Sequence, residues 1–249
     1  MARQARIALG GWVHQVMVRG NNGQVVFEDD ADRSHWLTVA AREAAHHGVD
    51  VHAYVLLSDR VHWLVTPHTN SSLGAWMQAL GRAYVQYFNR RHGRSGTLWE
   101  GRFRAGLLQA ERHLLACMAY MDASPVSQRL VATPQAWSWS SHAHYAGSRI
   151  DKWLRPHAMV WSLGNTPFAR EAAYARLVAA GLSQDVQRAL WDNVNHGWPL
   201  GDSAFLQRLE TMLGQPVQRR KPGRPKRLVA NGQAAAVEGG GIDVSPINE

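Results

Sequence analysis

The stretch Val51-His52-Ala53-Tyr54-Val55-Leu56-Leu57-Ser58-Asp59-Arg60-Val61-His62-Trp63-Leu64-Val65-Thr66-Pro67 reads as two strands, 49–57 and 61–66, joined at Ser58-Asp59 by a connection tight enough for a hairpin. Side chains two apart on a strand share a face. Arg60 and His62 are therefore expected on one side, with Val61, Trp63 and Val65 on the other. Asp59, one residue from Arg60, is expected to face away from it, and His52 lies on the preceding strand.

Working outward, Trp12 to Val18 shows a period-2 pattern of a strand covered on both faces. Asp30-Ala31-Asp32 opens a helix through about His47, with Trp36, Leu37, Ala40, Ala41 and Ala44 at helical spacing and Gly48 as its stop. After the hairpin, Ser71 or Ser72 can cap a helix that runs to about Arg90, striped by Leu73, Trp76, Met77, Leu80, Tyr84 and Tyr87. A fourth strand is expected over 98–109 and a helix over 111–124, with Pro125 as its end. Strand, helix, strand, strand, helix, strand, helix gives an α+β fold with a ferredoxin-like antiparallel sheet and helices on one face.

Three segments are expected. Residues 1–150 hold the α+β domain, and 151–218 form a C-terminal helical appendage carrying helical patterns between 168 and 213. Residues 219–249 form a tail, basic at first and disordered after. Residues 219–227 place six basic side chains around Pro222-Gly223-Arg224-Pro225. Such an arm suits a narrow minor groove, with Arg224 extended between prolines, or serves as a generic basic tail.

The chain has 249 residues, 45% hydrophobic and 18% charged, which excludes a disordered protein for most of its length. A net charge of +8 points to a polyanionic partner, nucleic acid first. The single cysteine, Cys117, excludes an internal disulfide and a Cys-cluster metal site, and fits a reducing compartment. No run of about 18 apolar residues and no secretory signal is present, so the expected location is the cytoplasm, with the nucleoid.

Two constellations could carry chemistry. The first is Arg60 with His62, which taken alone is either a hairpin-edge arginine beside a partly buried histidine or one half of a ligand pair. The second is Tyr120, which sits with His113, Cys117 and Ser124 on a stripe beside the apolar Leu114, Leu115, Met118 and Met121. Between them six arginines, Arg82, Arg90, Arg91, Arg94, Arg102 and Arg104, are interleaved with Tyr84, Tyr87, Phe88, Trp99 and Phe103, with Glu100 as the one acid. Arginines grip phosphates and aromatics stack on unpaired bases, although Tyr84 and Tyr87 also fit a core stripe.

The Arg60-Val61-His62 strand, Arg94-Ser95-Gly96, Leu98-Trp99-Glu100-Gly101-Arg102-Phe103, Tyr120 with Ser124-Pro125-Val126, Trp139-Ser140-Ser141, Val18-Arg19-Gly20-Asn21-Asn22 and the Gly-Arg-Pro tail together resemble the REP-associated tyrosine transposases of the HUH single-tyrosine group. The resemblance runs over most of residues 8–227. It implies two strand histidines and a polar side chain one turn after the tyrosine, holding Mg²⁺ or Mn²⁺ against a scissile phosphate. It also implies attack by the tyrosine hydroxyl on phosphorus, giving a 5′-phosphotyrosyl bond and a free 3′-OH.

Carried over residue by residue, the nucleophile is Tyr120 and the second histidine is His62. The first ligand position holds Arg60 and the third holds Ser124, where Asn is usual. A guanidinium has no lone pair to offer a metal. Arg60 is thus expected to contact phosphate directly and cleavage to be weakened. The partner implied is single-stranded or hairpin DNA of repeated palindromic elements. A non-catalytic DNA-binding regulator on the same fold and an RNA-binding protein are the competing readings.

Overall fold

Asp29 starts the first helix by accepting the Asp32 amide at 3.1 Å, with Asp30 and Asp32 in the first turn and Gly48 in the left-handed conformation (φ 65°) at its end. These signals bound helix α1 (Asp30–His47) as the sequence predicts. The computed structural model describes residues 7–218. The basic segment 219–227, Arg224 and the tail expected to be disordered lie outside the described residues.

Before α1 comes strand β1 (His14–Arg19), and after it β2 (Val49–Leu56) and β3 (Arg60–Pro67) form the hairpin. Leu57 N donates to the Arg60 carbonyl at 2.8 Å across the turn. Helix α2 (Ser72–Arg91) follows. Ser71 stands at its N-cap without a capping hydrogen bond, and the Ser72 hydroxyl instead accepts the Thr69 amide at 3.3 Å. Strand β4 (Arg104–Leu107) is shorter than the expected 98–109, because Gly101 at φ 72° breaks the ladder: residues 98–100 pair separately with 19–21, Glu100 N donating to Arg19 O at 2.8 Å and Asn21 N to Leu98 O at 2.9 Å.

Helix α3 (Ala110–Ser127) passes through Pro125 rather than stopping at it. There the proline removes the donor that would reach the carbonyl of residue 121 and crowds that carbonyl with its ring, yet the helix runs on for two residues. The stop comes later, at Arg129 (φ 58°), where Leu130 N donates to the Pro125 carbonyl at 2.9 Å and Arg129 N to that of Val126 at 2.9 Å. Short helices α4 (His142–Tyr145) and α5 (Ala158–Trp161) precede α6 (Pro167–Ala180), α7 (Gln184–His196) and α8 (Ser203–Leu213).

The four strands form an antiparallel sheet in the order β2-β3-β1-β4, the ferredoxin-like topology. The register sorts the two faces. Val16 pairs with Trp63 and Val18 with Val61, and Trp63 packs against Trp36 of α1 and Trp76 of α2. Met17 pairs with His62 and Arg104 on the opposite face, where α3 and α7 lie. Tyr174, Val178 and Leu190, from the segment 151–218, join the same hydrophobic core as the sheet.

Both sheet edges are closed by later chain. Along β2, Leu56 N donates to Trp139 O at 2.8 Å, Ser141 N to Tyr54 O at 2.9 Å and Trp137 Nε1 to Leu56 O at 3.0 Å. Along β4, Leu200 N donates to Leu107 O and Gln109 N to Leu200 O, both at 2.8 Å. Among the described residues no helix is long and apolar enough to cross a membrane.

Candidate active site and arginine clusters

The hairpin and α3 bring the two halves predicted from sequence together. The rings of His62 and Tyr120 meet edge to face with centroids 6.4 Å apart. His62 is buried and its Nδ1 has no hydrogen-bond partner among the described residues. Burial, with the Arg60 charge adding to it, pushes the imidazole down to about 3, so the ring is neutral at physiological pH. Burial and the neighbouring Cys117 raise the Tyr120 hydroxyl above the ordinary tyrosine value, while Arg60 pulls it back.

Arg60 does share the His62 side of β3, but Asp59 does not face away. Its carboxylate takes Arg60 Nε and Nη2 at 2.8 Å each, and Arg19 Nε lies 3.6 Å from the same group. Asp59 belongs to the turn, where strand alternation does not apply, and two arginines converge on it.

Ser124 is buried, with its hydroxyl donating back to the Tyr120 carbonyl at 2.8 Å. Of the three ligand positions implied by resemblance, Arg60 has no lone pair to give, His62 offers an imidazole nitrogen, and Ser124 only the lone pairs of a short hydroxyl held against the helix backbone. Among the described residues no three His, Cys, Asp or Glu side chains gather to hold a metal ion. The donor set does not fit Mg²⁺ or Mn²⁺, which take oxygen-rich shells. His52, the other histidine nearby in sequence, is committed elsewhere, to Arg155 O at 2.5 Å and Thr66 Oγ1 at 2.7 Å.

Two residues beyond Tyr120, Asp122 is buried and bonded to the Tyr174 hydroxyl at 2.5 Å and to His142 Nδ1 at 3.0 Å. Burial lifts its carboxyl above the usual range. This network fastens α3 to α4 and α6.

The six arginines between 82 and 104 separate into different environments. Arg104 shares the Tyr120 face, donating to Asn195 Oδ1 at 2.6 Å with Glu100 at 3.4 Å. Arg82 and Arg102 are exposed, without hydrogen-bond or ion-pair partners among the described residues. They line a cleft of about 370 Å³ with Trp99, Phe103 and Gln78, on the α1–α2 side of the sheet. Trp36 and Trp99 meet in its floor with centroids 5.3 Å apart, and both indole N–H groups are buried without an acceptor.

Arg90 is exposed at the end of α2. Arg91 is engaged with the α1 start, on Asp29 Oδ2 at 2.5 Å and on the buried Asp32, which His92 also meets at 3.0 Å. Arg94 donates to Gln24 Oε1 at 2.7 Å and lies over Phe88. Tyr84 is a core residue with its hydroxyl on Val26 O at 2.6 Å, and Tyr87 stacks on His35.

Sequence reasoning missed the contribution of α7. Trp191 lies under the Arg60 guanidinium at 6.0 Å, and Asn195 holds Arg104. Only the amphipathic helical pattern of 184–196 was there to read, and it does not say what the helix meets.

Comparison with known proteins places this arrangement. None of the curated proteins matches the chain in sequence. A solved REP-associated tyrosine transposase bound to a REP hairpin is 14% identical with a TM-score of 0.50, and the match covers 63% of this chain and 92% of that one. This likeness is one of fold. A structure from Deinococcus radiodurans R1 assigned to the transposases is 19% identical with a TM-score of 0.34, covering 47% of this chain and 89% of that one. The family of IS200-like transposases matches from residue 10 to residue 123, the span that contains the sheet, His62 and Tyr120. The likeness to the IS200-like transposases is thus carried by residues 10–123, a little under half of the chain.

Proposed function

We propose that the chain is a DNA-binding transposase relative that holds single-stranded or hairpin DNA of palindromic repeats, with strand cleavage through Tyr120 weakened. The observation that carries this is Arg60, locked on Asp59 where the resemblance places the first metal-binding histidine. The guanidinium substitutes a fixed cation for a ligand, which favours holding a phosphate over activating it. Burial makes the Tyr120 hydroxyl a poorer nucleophile at neutral pH, and Ser124 spends its proton on the helix backbone. The solved hairpin complex with the same fold supports hairpin DNA as the partner, and Arg82, Arg90 and Arg102 supply unpaired charge for phosphates.

A 5′-labelled hairpin carrying a single-stranded flank, incubated with Mn²⁺, tests the reading. The expected result is tight, salt-dependent binding with little or no covalent adduct. Arg60→His with Ser124→Asn is expected to raise an adduct that Tyr120→Phe abolishes. Efficient adduct formation by the unaltered protein defeats the weakened-cleavage reading and leaves an active transposase. Binding with no adduct even in the double variant favours the purely non-catalytic regulator.

A further inference from the structure

Helix α7 lies outside the residues that match the transposase family, yet it is pressed onto the sheet beside the candidate site. Its seat is a close backbone approach. At Gly106 a Cβ would stand 2.3 Å from the Asn193 carbonyl oxygen, and the Asn193 amide donates to the carbonyls of Leu107 at 2.8 Å and Trp198 at 2.7 Å.

From that seat one face of α7 meets two of the three arginines that the sheet presents on the Tyr120 side, Arg60 and Arg104. Trp191 and Asn195 are one turn apart and so lie side by side. The Trp191 ring is 6.0 Å from the Arg60 guanidinium, and Asn195 Oδ1 accepts from Arg104 at 2.6 Å. The Asn195 NH₂ donates to the Trp191 carbonyl at 2.9 Å, which fixes its orientation. Trp191 itself is only half-buried.

The charges around this face do not cancel. Asp59 is shared between Arg19 and Arg60, and Glu100 between Arg19 and Arg104. Three guanidinium groups against two carboxylates leave one net positive charge next to an accessible indole. An unpaired nucleotide offers the complement, a base to lie on the indole and a phosphate for the arginine.

We propose that Trp191 is a base-stacking residue for single-stranded DNA at the Tyr120 site, acting with Arg60 as a metal-independent clamp on one nucleotide. The assignment rests on the DNA-binding reading above and adds to it a binding residue from outside the matched domain. α7 then selects unpaired DNA, because a base within a duplex has no free face to give the indole.

The test uses the full chain and a 20-nucleotide thymidine strand, in one version carrying a single 5-iodouracil. Trp191→Ala is expected to weaken binding roughly 5- to 150-fold at fixed salt, the range for loss of one stacked base, with the slope of affinity against salt unchanged. Trp191→Phe should keep most of the affinity, and Arg60→Ala should lower the salt slope by about 1. Irradiation of the iodouracil strand with the unaltered protein should yield an adduct on Trp191. Wild-type affinity in a folded Trp191→Ala protein, or photo-adducts only outside residues 184–196, overturns the assignment while leaving DNA binding intact. Failure of the unaltered protein to bind any DNA overturns the functional reading itself.

Discussion

Gly106→Ala should loosen α7 from the sheet. The added methyl would meet the Asn193 carbonyl oxygen at 2.3 Å and its side-chain Cγ and Oδ1 at 2.5 Å. Relief to ordinary contact requires α7 to withdraw by roughly 1 Å. Overpacking of this kind costs about 1–3 kcal/mol. The withdrawal also stretches the two hydrogen bonds from the Asn193 amide, at about 1 kcal/mol each. A total of about 3–5 kcal/mol corresponds to a melting temperature lower by roughly 6–20 °C, at about 2–4 °C per kcal/mol for a chain of this size.

Thermal unfolding followed by circular dichroism reads this directly. Asn193→Ala added to Gly106→Ala should not restore stability, because the backbone carbonyl stays in the way. A Gly106→Ala protein that melts within about 1 °C of the parent would refute the close approach and, with it, the seat assigned to α7.

Gly74→Ala, by contrast, meets nothing within 4 Å on the exposed side of α2 and should stabilise by about 0.5–1 kcal/mol, a gain visible in urea unfolding and absent if α2 is frayed there. His14, His52 and His62 are held down to about 4, 4 and 3 by burial. Each therefore binds its proton more readily unfolded than folded. Their contribution is full above pH ~6.5 and is lost as pH falls towards 3–4, by about 1.4 kcal/mol per unit for each ring, with the raised Asp122 carboxyl opposing it. Melting temperatures should accordingly drop between pH 7.5 and 5; a flat profile would count against three buried neutral rings. Arg91→Ala should lower the melting temperature by stranding Asp32, whereas Arg102→Ala should leave it unchanged and reduce the salt slope of DNA binding by about 1, measured by fluorescence anisotropy. The reverse pattern would exchange their roles.

What could be read in the sequence was what neighbouring residues determine. Asp30, Asp32 and Gly48 mark the start and stop of α1, and alternation in 49–67 sets the hairpin and the faces of Arg60 and His62. Two local rules were overridden by local geometry. Pro125 lies within the last turn of α3 without ending it, and Gly101 splits the expected 98–109 strand into a short pairing at 98–100 and β4. The pairing of Asp59 with Arg60 is hidden because turn residues obey no pleat. The approach of Trp191 to Arg60 is hidden for a different reason, since it depends on how a distant helix docks, which no spacing encodes.

The closed edges of the sheet carry a consequence for how the chain is made. Tyr54 waits for Ser141, 87 residues later, and Leu107 for Asn193, 86 residues later. At roughly 5–20 residues per second of synthesis, each edge stands bare for about 4–17 s. During that interval the nascent sheet offers open hydrogen-bonding rows at both sides, so neighbouring ribosomes on one message bring together surfaces able to pair in the wrong partnership. Fragments ending at residue 123 are left in that state permanently and should accumulate as aggregates, which makes residues 137–200 a built-in guard against self-association as well as a wall of the site.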